Sequence, residues 1–548
     1  MDATRPIMVL GASGVFGSRV CRLLLEGGAD VVAVARRTNR LEKLHQELGD
    51  TGKLQIVQGT LPDDLAPLLI AHRPAVVIDA AGPFQGRSYR VPRACIDHGV
   101  TYLDLSDGRE DVSGILALDN AARNAGVTIL SGVSTVCAVT SAVIDHLKPA
   151  FDAIDTIEIA SAPGNDAPRG PAVTSAVLSW VGKPVPRWSH GRQTTVAGWQ
   201  ELHRRAIGSL GKRWLATCDV PDNVLLAPHY GARHVRLYAG MELRLIHFSL
   251  WLLSWPVRLG LIGNLAIASR VFQPIANALR PLGTNTGGMA VSITGTGTDG
   301  RPLHRLWTLE AREGDGPMVP ASAAASLTLA TLRGQVLAPG AHPCLGEARL
   351  TDILDVLAPY AIHATTQDER PLPLYRQALG EDFERLPRPI RAIHDHVTSF
   401  QASGLATITL GRNTVVRCLQ ALGVLPKSGT DIETQVTFTI RKGRERWTRR
   451  FAGFSGSSVQ GWPSRDHVWE KFGLIAGQAR FKAHETGLDL EVASYRFLGI
   501  PVPRFLWLRA WGYERVDDQG RFTFDVGIGL PFGIDLVTYK GWLVSDDA

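Results

Sequence analysis

The stretch Leu10–Arg19, "LGASGVFGSR", decides how this chain is read. Gly11, Gly14 and Gly17 stand three apart between an apolar run and an amphipathic one. Before them "PIMVLG" (Pro6–Gly11) has the length and character of a strand buried on both faces. After them Val20, Leu23 and Leu24 recur at helical spacing, and Gly27-Gly28 supplies a helix stop. "DVVAVARR" (Asp30–Arg37) then reads as a second buried strand. Strand, glycine turn, helix and strand make a βαβ unit. Glycines at such a turn let the backbone approach a pyrophosphate, and the helix N-terminus offers free N–H groups and a positive dipole end. The candidate cradle is Gly11, Ser13, Gly14, Phe16 and Gly17.

The end of the second strand selects the nucleotide. A site for NAD usually places Asp or Glu there, against the ribose 2′-hydroxyl. Here Ala35 is followed by Arg36 and Arg37, and a guanidinium pairs with a 2′-phosphate through two N–H groups. NADP is the expected cofactor.

The alternation continues through "KLQIVQGT" (Lys53–Thr60), "AVVIDAAG" (Ala75–Gly82), "TYLDLS" (Thr101–Ser106) and "GVTILSG" (Gly126–Gly132). Strands alternating with helices predict a doubly wound parallel sheet of the Rossmann type, with ligands beyond the carboxyl ends of the strands. Three segments end strands on that edge: Ala80–Gly86, Tyr102–Glu110 and Ser131–Ala138. Asp104, Asp107 and Glu110 are candidate polar anchors and Tyr102 a candidate proton donor. The alternative is that Asp104 caps a turn and Tyr102 packs beneath it.

"GASGVFG", "DAAGPF" and "ACIDHGVTYLDLSDGRE", in that order, resemble the NADP-binding domain of saccharopine-dehydrogenase-like reductases. The resemblance implies that Ala81, Gly82, Pro83 and Phe84 line the nicotinamide side of the cofactor. It places Tyr102 and Asp104 at the floor of a substrate cleft. Relatives often carry Pro-Gly after the sixth strand, where this chain has Cys137-Ala138.

Bulk properties set the remaining limits. The chain has 548 residues, 45% of them hydrophobic and 20% charged, with a formal net charge of +6. That balance belongs to a globular chain, and it is too diffuse to argue a nucleic-acid partner. Six scattered cysteines form no CxxC and no metal-ligand spacing, so no metal is expected. The N-terminal apolar run is too short for a signal-peptide core, so a cytoplasmic protein is expected. No Tyr-xxx-Lys pair follows Tyr89 or Tyr102, and G-x-S-x-G and H-E-x-x-H are absent.

Three domains are expected: a dinucleotide-binding domain over 1–145, an α+β substrate and dimerisation domain over 146–370, and an antiparallel β-rich domain over 380–548. By resemblance the middle domain makes a homodimer and its last helices return to the nucleotide domain. "GTNTGGMAVSITGTGTDGRPLHRLWTLEA" (Gly283–Ala311) reads as a hairpin. Within this domain Leu245–Ser269, "LIHFSLWLLSWPVRLGLIGNLAIAS", is unusually apolar, and Pro256 is expected to break it. Its uncharged run falls short of the roughly 20 residues a membrane span needs. A buried core or dimer helix pair, a peripheral membrane contact and a true span all remain open.

In the C-terminal domain "QVTFTI", "RKGR" and "ERWTRRFAG" read as a hairpin, and the curved sheet is expected to hold an apolar pocket. Arg441, Lys442, Arg444, Arg446, Arg449 and Arg450 flank the turn, as a solvated face or an anionic-lipid contact. The region resembles a domain of unknown function that recurs C-terminal to such reductases. The expected function is an NADP(H)-dependent oxidoreductase acting on C=O, C=N or C=C of a small or lipid-like substrate. The alternative is a non-catalytic protein that binds NADP(H) or lipid as a sensor.

Overall fold

The computed structural model describes residues 5–48, 52–168, 171–421, 423–441, 443–451 and 453–546. The chain divides into two compact units, Met1–Glu369 and Arg370–Ala548. Each is described by itself.

The first unit begins with β1 (Ile7–Leu10), α1 (Val15–Glu26), β2 (Val31–Ala35), α2 (Asn39–Leu48), β3 (Leu54–Gln58), α3 (Leu65–His72) and β4 (Val76–Asp79). It continues with α4 (Arg90–Asp97), β5 (Thr101–Asp104), α5 (Arg109–Gly114), α6 (Asp119–Ala125), β6 (Thr128–Ser131) and α7 (Ala138–Leu147). The strands form a parallel sheet in the order β6-β5-β4-β1-β2-β3, and a later strand, Gly340–Pro343, joins in parallel beside β6. Every residue of β1, β2, β4, β5 and β6 is buried. Successive side chains point to opposite faces. Ile7, Val9, Val31, Ala33 and Ile78 therefore join the core on one face, and Met8, Leu10, Val32, Val34 and Val77 the core on the other. That is why these strands read as unbroken apolar runs rather than alternating ones.

The helix Met318–Leu332 is buried along nearly its whole length and packs on the α1 face of the sheet. A Cβ on Gly27 would lie 2.5 Å from Leu329 Cδ1, so the glycine that ends α1 also admits this helix. Its small residues serve close packing.

A second, mixed sheet of nine strands follows. At its centre Phe151–Ala162 pairs in parallel with His234–Ala239 and antiparallel with Gly287–Gly297. Gly287–Gly297 turns back into Pro302–Ala311 as a hairpin. Between the strands of this sheet lies an excursion of helices, Arg244–Arg258, Leu265–Ala268 and Ser269–Ala278. The first of these runs through Pro256 instead of breaking there. Pro256 sits in the last turn, where its missing N–H costs one hydrogen bond. Leu259 N–H donates to Trp255 O and Gly260 N–H to Val257 O to close the end. Among the described residues no helix is long and apolar enough to cross a membrane.

The second unit is an antiparallel sheet of eleven strands that closes on itself. Ile475–His484 pairs with Gly487–Phe497 to complete the ring, and only the short Ile500–Pro501 hangs outside it. The hairpin Gly429–Arg441/Arg444–Phe451 forms as expected from its alternation. Lys442 lies outside the described residues. Arg449 pairs with Glu470 at 3.4 Å, and Arg444 lies over the Trp462 ring. Where an apolar pocket is expected, the barrel packs Tyr375, Phe383 and Ile390, from the helical lead-in, against Phe400, Phe438, Phe481 and Phe522 of its strands. Tyr375 stacks on the buried His394 with ring centroids 3.8 Å apart, and His394 Nε2 meets Glu514 at 2.8 Å.

Phe438 stacks on Phe400 at 4.2 Å and meets Trp447 edge-on at 4.6 Å. Phe438→Ala should lower the unfolding free energy of the C-terminal unit by about 3–5 kcal/mol. Urea titration followed by tryptophan fluorescence measures it, and an unchanged midpoint would contradict the packing described.

Candidate functional site

Three loops meet at the carboxyl edge of the parallel sheet, after β1, β4 and β5. The first is the glycine turn. Gly11 has φ +70°, and a Cβ there would lie 2.7 Å from Ala81 Cα. A Cβ on Gly17 would lie 2.3 Å from Gly11 O and 2.9 Å from Ala12 Cα. These two glycines let three pieces of backbone touch: the turn, the start of α1 and the β4 loop. Gly14 differs. It is the N-cap of α1 with extended backbone (φ −76°, ψ 172°), no side chain caps the helix, and a Cβ there would approach only Gly11 O. No acidic side chain stands in the first turn of α1. The uncapped N–H groups and the positive end of the helix dipole suit an anion. The residues present therefore fit a dinucleotide pyrophosphate. Arg36 and Arg37, both exposed, follow β2 on the same edge.

The β4 loop is held by Asp79, which the sequence analysis did not single out. It is fully buried. Its Oδ1 accepts from Ala81 N–H at 2.9 Å, and its Oδ2 accepts from Tyr102 Oη at 3.3 Å and lies 3.1 Å from Arg87. Arg87 also donates to Ala81 O at 3.2 Å and lies over the Phe84 ring. One carboxylate and one guanidinium thus fix the stretch Ala81–Phe84, whose Gly82–Pro83 peptide is cis. Burial pushes the Asp79 carboxyl up from its ordinary value, against the pull of Arg87 and its hydrogen bonds. An Asp closing an apolar strand was the available sequence signal; the pairing with Arg87 across a loop had none.

Asp104 lies at the end of β5 and is nearly fully buried. Its Oδ1 accepts from Ser131 Oγ at 2.8 Å and from the N–H groups of Ser106 and Gly132, each at 3.0 Å. It ties the β5 loop to the β6 loop. Tyr102 is equally buried, and burial holds its phenol well above the ordinary value, so it stays protonated. Between them and Phe84, Tyr89 and Asp111 lies a crevice of about 20 Å³, room for about one water. Asp107 is exposed and accepts from Gln85, and Glu110 is exposed beside Arg109.

The β6 loop carries Cys137 at φ +66°, a backbone conformation unusual for a residue with a side chain. Buried Asp222 secures it, accepting from Cys137 N–H at 2.8 Å and Thr140 Oγ1 at 2.6 Å. All six cysteines are free thiols. Among the described residues no group of His, Cys, Asp or Glu could hold a metal.

Burial raises the Asp104 carboxyl to about 6 against the three hydrogen bonds that lower it. The folded state therefore binds more protons than the unfolded one between about pH 4 and 6, and stability falls as pH rises through that window. Carbon-13 NMR of labelled aspartate, assigned by difference with Asp104→Asn, should show a midpoint near 6. Ser131→Ala should move it higher; a midpoint in the ordinary Asp range would contradict the burial described.

Residues 7–130 match the family model for the saccharopine dehydrogenase NADP binding domain. Residues 386–543 match the model for a domain of unknown function (DUF4166). No curated protein matches the sequence. Among solved structures, the chain is similar to the apo saccharopine dehydrogenase (L-Glu forming) of Saccharomyces cerevisiae. The identity is 14% and the TM-score 0.48, covering 67% of this chain and 100% of that one. It is also similar to GenD2 from gentamicin A biosynthesis, solved with NAD. There the identity is 13% and the TM-score 0.31, over 65% of this chain and 93% of that one. A nucleotide-binding domain of the matched type points to an oxidoreductase. The chain is thus similar to the saccharopine dehydrogenase NADP binding domain at its N-terminal end and to a domain of unknown function at its C-terminal end.

Proposed function

We propose that this protein is an NADP(H)-dependent oxidoreductase that reduces C=O, C=N or C=C of a small or lipid-like substrate. The observation that carries the reading is the uncapped N-terminus of α1 behind a turn that only glycines can build. Gly11, Ser13, Gly14, Phe16 and Gly17 would hold the pyrophosphate, and Arg36 and Arg37 the 2′-phosphate. Ala81, Gly82, Pro83 and Phe84 would line the nicotinamide side, held in place by Asp79 and Arg87. When bound, NADPH supplies a hydride. Tyr102 and Asp104 form the floor beneath that position. Tyr102 keeps its proton and makes a hydrogen bond with it to Asp79 Oδ2, while Asp104 fixes the Ser131–Gly132 turn.

One observation favours the second reading, a non-catalytic NADP(H)- or lipid-binding sensor. Tyr102 Oη donates to Asp79 and Asp104 Oδ1 accepts three hydrogen bonds, all within the protein, and the crevice beside them is about 20 Å³. Slow consumption of NADPH in the presence of candidate carbonyl, imine or enoyl substrates separates an enzyme from a sensor.

The cofactor test compares NADPH and NADH binding to the wild type and to Arg36→Ala/Arg37→Ala. Wild type should prefer NADPH. The double variant should lose about 2 kcal/mol of NADPH binding, the scale of a truncated charged pair, with NADH binding unchanged. Equal affinity for the two nucleotides in the wild type would overturn the NADP assignment.

A further inference from the structure

The excursion Leu243–Gly283 leaves the second sheet and returns to it at one neck. Glu242 closes that neck: its carboxylate accepts from Asn165 N–H at 2.7 Å, Thr284 N–H at 2.8 Å and Thr284 Oγ1 at 2.8 Å. Burial pushes this carboxyl up, but the hydrogen bonds prevail and hold it below its ordinary value. The excursion is therefore anchored at its base. Its inner side is ordinary core: Leu250, Val257 and Leu265 pack with Leu178, Val181 and Trp199.

Its outer side is apolar and open. On Arg244–Arg258 the buried positions are His247, Leu250, Ser254 and Val257, while Leu245, Leu252 and Trp255 face outward. Leu259, Leu261, Ile267, Val271 and Ile275 continue the exposed set, with Leu245 67% exposed, Leu261 77% and Ile267 85%. The helix Ser269–Ala278 has no buried residue at all. Isolated exposed leucines need no explanation, but a concentration of large apolar side chains on one short excursion marks an interaction surface.

The charge pattern identifies the partner. From residue 243 to residue 298 there is no Asp or Glu, and the charged residues are Arg244, Arg258, Arg270 and Arg280. Arg244, Arg258 and Arg270 are exposed, and Arg258 lies over the Trp255 ring. Trp251 and Trp255 pack edge to face. An apolar face with tryptophans, bordered by arginines and free of acids, is the composition of a helix lying in a bilayer interface with anionic lipids. A self-complementary protein interface has no such need to exclude acids. We propose that the excursion docks this protein on an anionic membrane surface, with Leu245, Leu252, Leu259, Ile267, Val271 and Ile275 entering the interface.

The test uses the full chain without added nucleotide, so it is independent of the cofactor reading. Vesicles of phosphatidylcholine mixed with phosphatidylglycerol should sediment the wild type, and pure phosphatidylcholine vesicles should do so much less. Leu252→Glu/Ile267→Glu should lower the partition coefficient by roughly tenfold or more, and so should Arg258→Glu/Arg270→Glu, which keeps every apolar group. Ile70→Glu, on an exposed position of α3, should have no effect. Thermal midpoints confirm that each variant is folded. The proposal is overturned if the wild type ignores vesicles or binds both lipid compositions equally, or if both double variants bind like the wild type. It is also overturned if light scattering shows a wild-type dimer that Leu252→Glu/Ile267→Glu converts to a monomer without vesicle binding at any stage; the face then joins two copies.

Discussion

The nucleotide edge depends on one close approach, the backbone of Gly11 against the backbone of Ala81. Any side chain at Gly11 would lie within 3 Å of three Ala81 atoms, and one at Gly17 would collide with Gly11 O. The two glycines bring the β1 turn, the first turn of α1 and the β4 loop into contact. That contact sets the Ala81–Phe84 loop beside the N-terminus of α1, which Gly14, having no side chain, leaves uncapped.

Two buried carboxylates then hold what the glycines bring together. Asp79 fixes the β4 loop through Ala81 N–H and Arg87, and Asp104 joins the β5 loop to the β6 loop. Burying carboxylates is costly unless they are paired or hydrogen-bonded. Asp79 has an ion pair, and Asp104 has three donors. The same logic secures the β6 loop, where Asp222 holds Cys137 in a left-handed conformation without help from a glycine. A rigid scaffold with loops pinned from below is what an active site on a sheet edge requires.

Much of this edge was legible in the residues themselves. Central parallel strands are apolar throughout, so β1, β2 and β4 stand out as short runs, and the glycine spacing between two of them has a physical use. The strand Gly340–Pro343 was not legible. "GAHP" carries a glycine and a proline and has no apolar run, and it is a strand only because it lies beside β6 at the sheet's edge. Asp79 and Arg87 were missed for a related reason: their pairing spans a loop and leaves no periodic trace. For Leu245–Ser269 the composition left core, interface and span open together. Which side of an apolar helix is covered depends on tertiary packing, and only the fold shows that Leu250 is inside while Leu252 is outside. Pro256 misled in a similar way, since a proline in the last turn of a helix ends nothing that was not already ending.

The central claim is that the open end of α1 receives a phosphate, and Gly14→Asp tests it most directly. Gly14 has N-cap backbone geometry at negative φ, and Asp is among the preferred N-cap residues; its Cβ would lie 3.1 Å from Gly11 O, a close contact that offsets the capping gain, so the variant should fold with about wild-type stability. Its carboxylate would occupy the N–H groups and repel an anion. Titration of NADPH by calorimetry should show binding to the wild type and a loss of roughly a hundredfold or more in the variant, about 3 kcal/mol. A stably folded Gly14→Asp that binds NADPH as the wild type does would contradict the account, and so would a wild type that binds no dinucleotide.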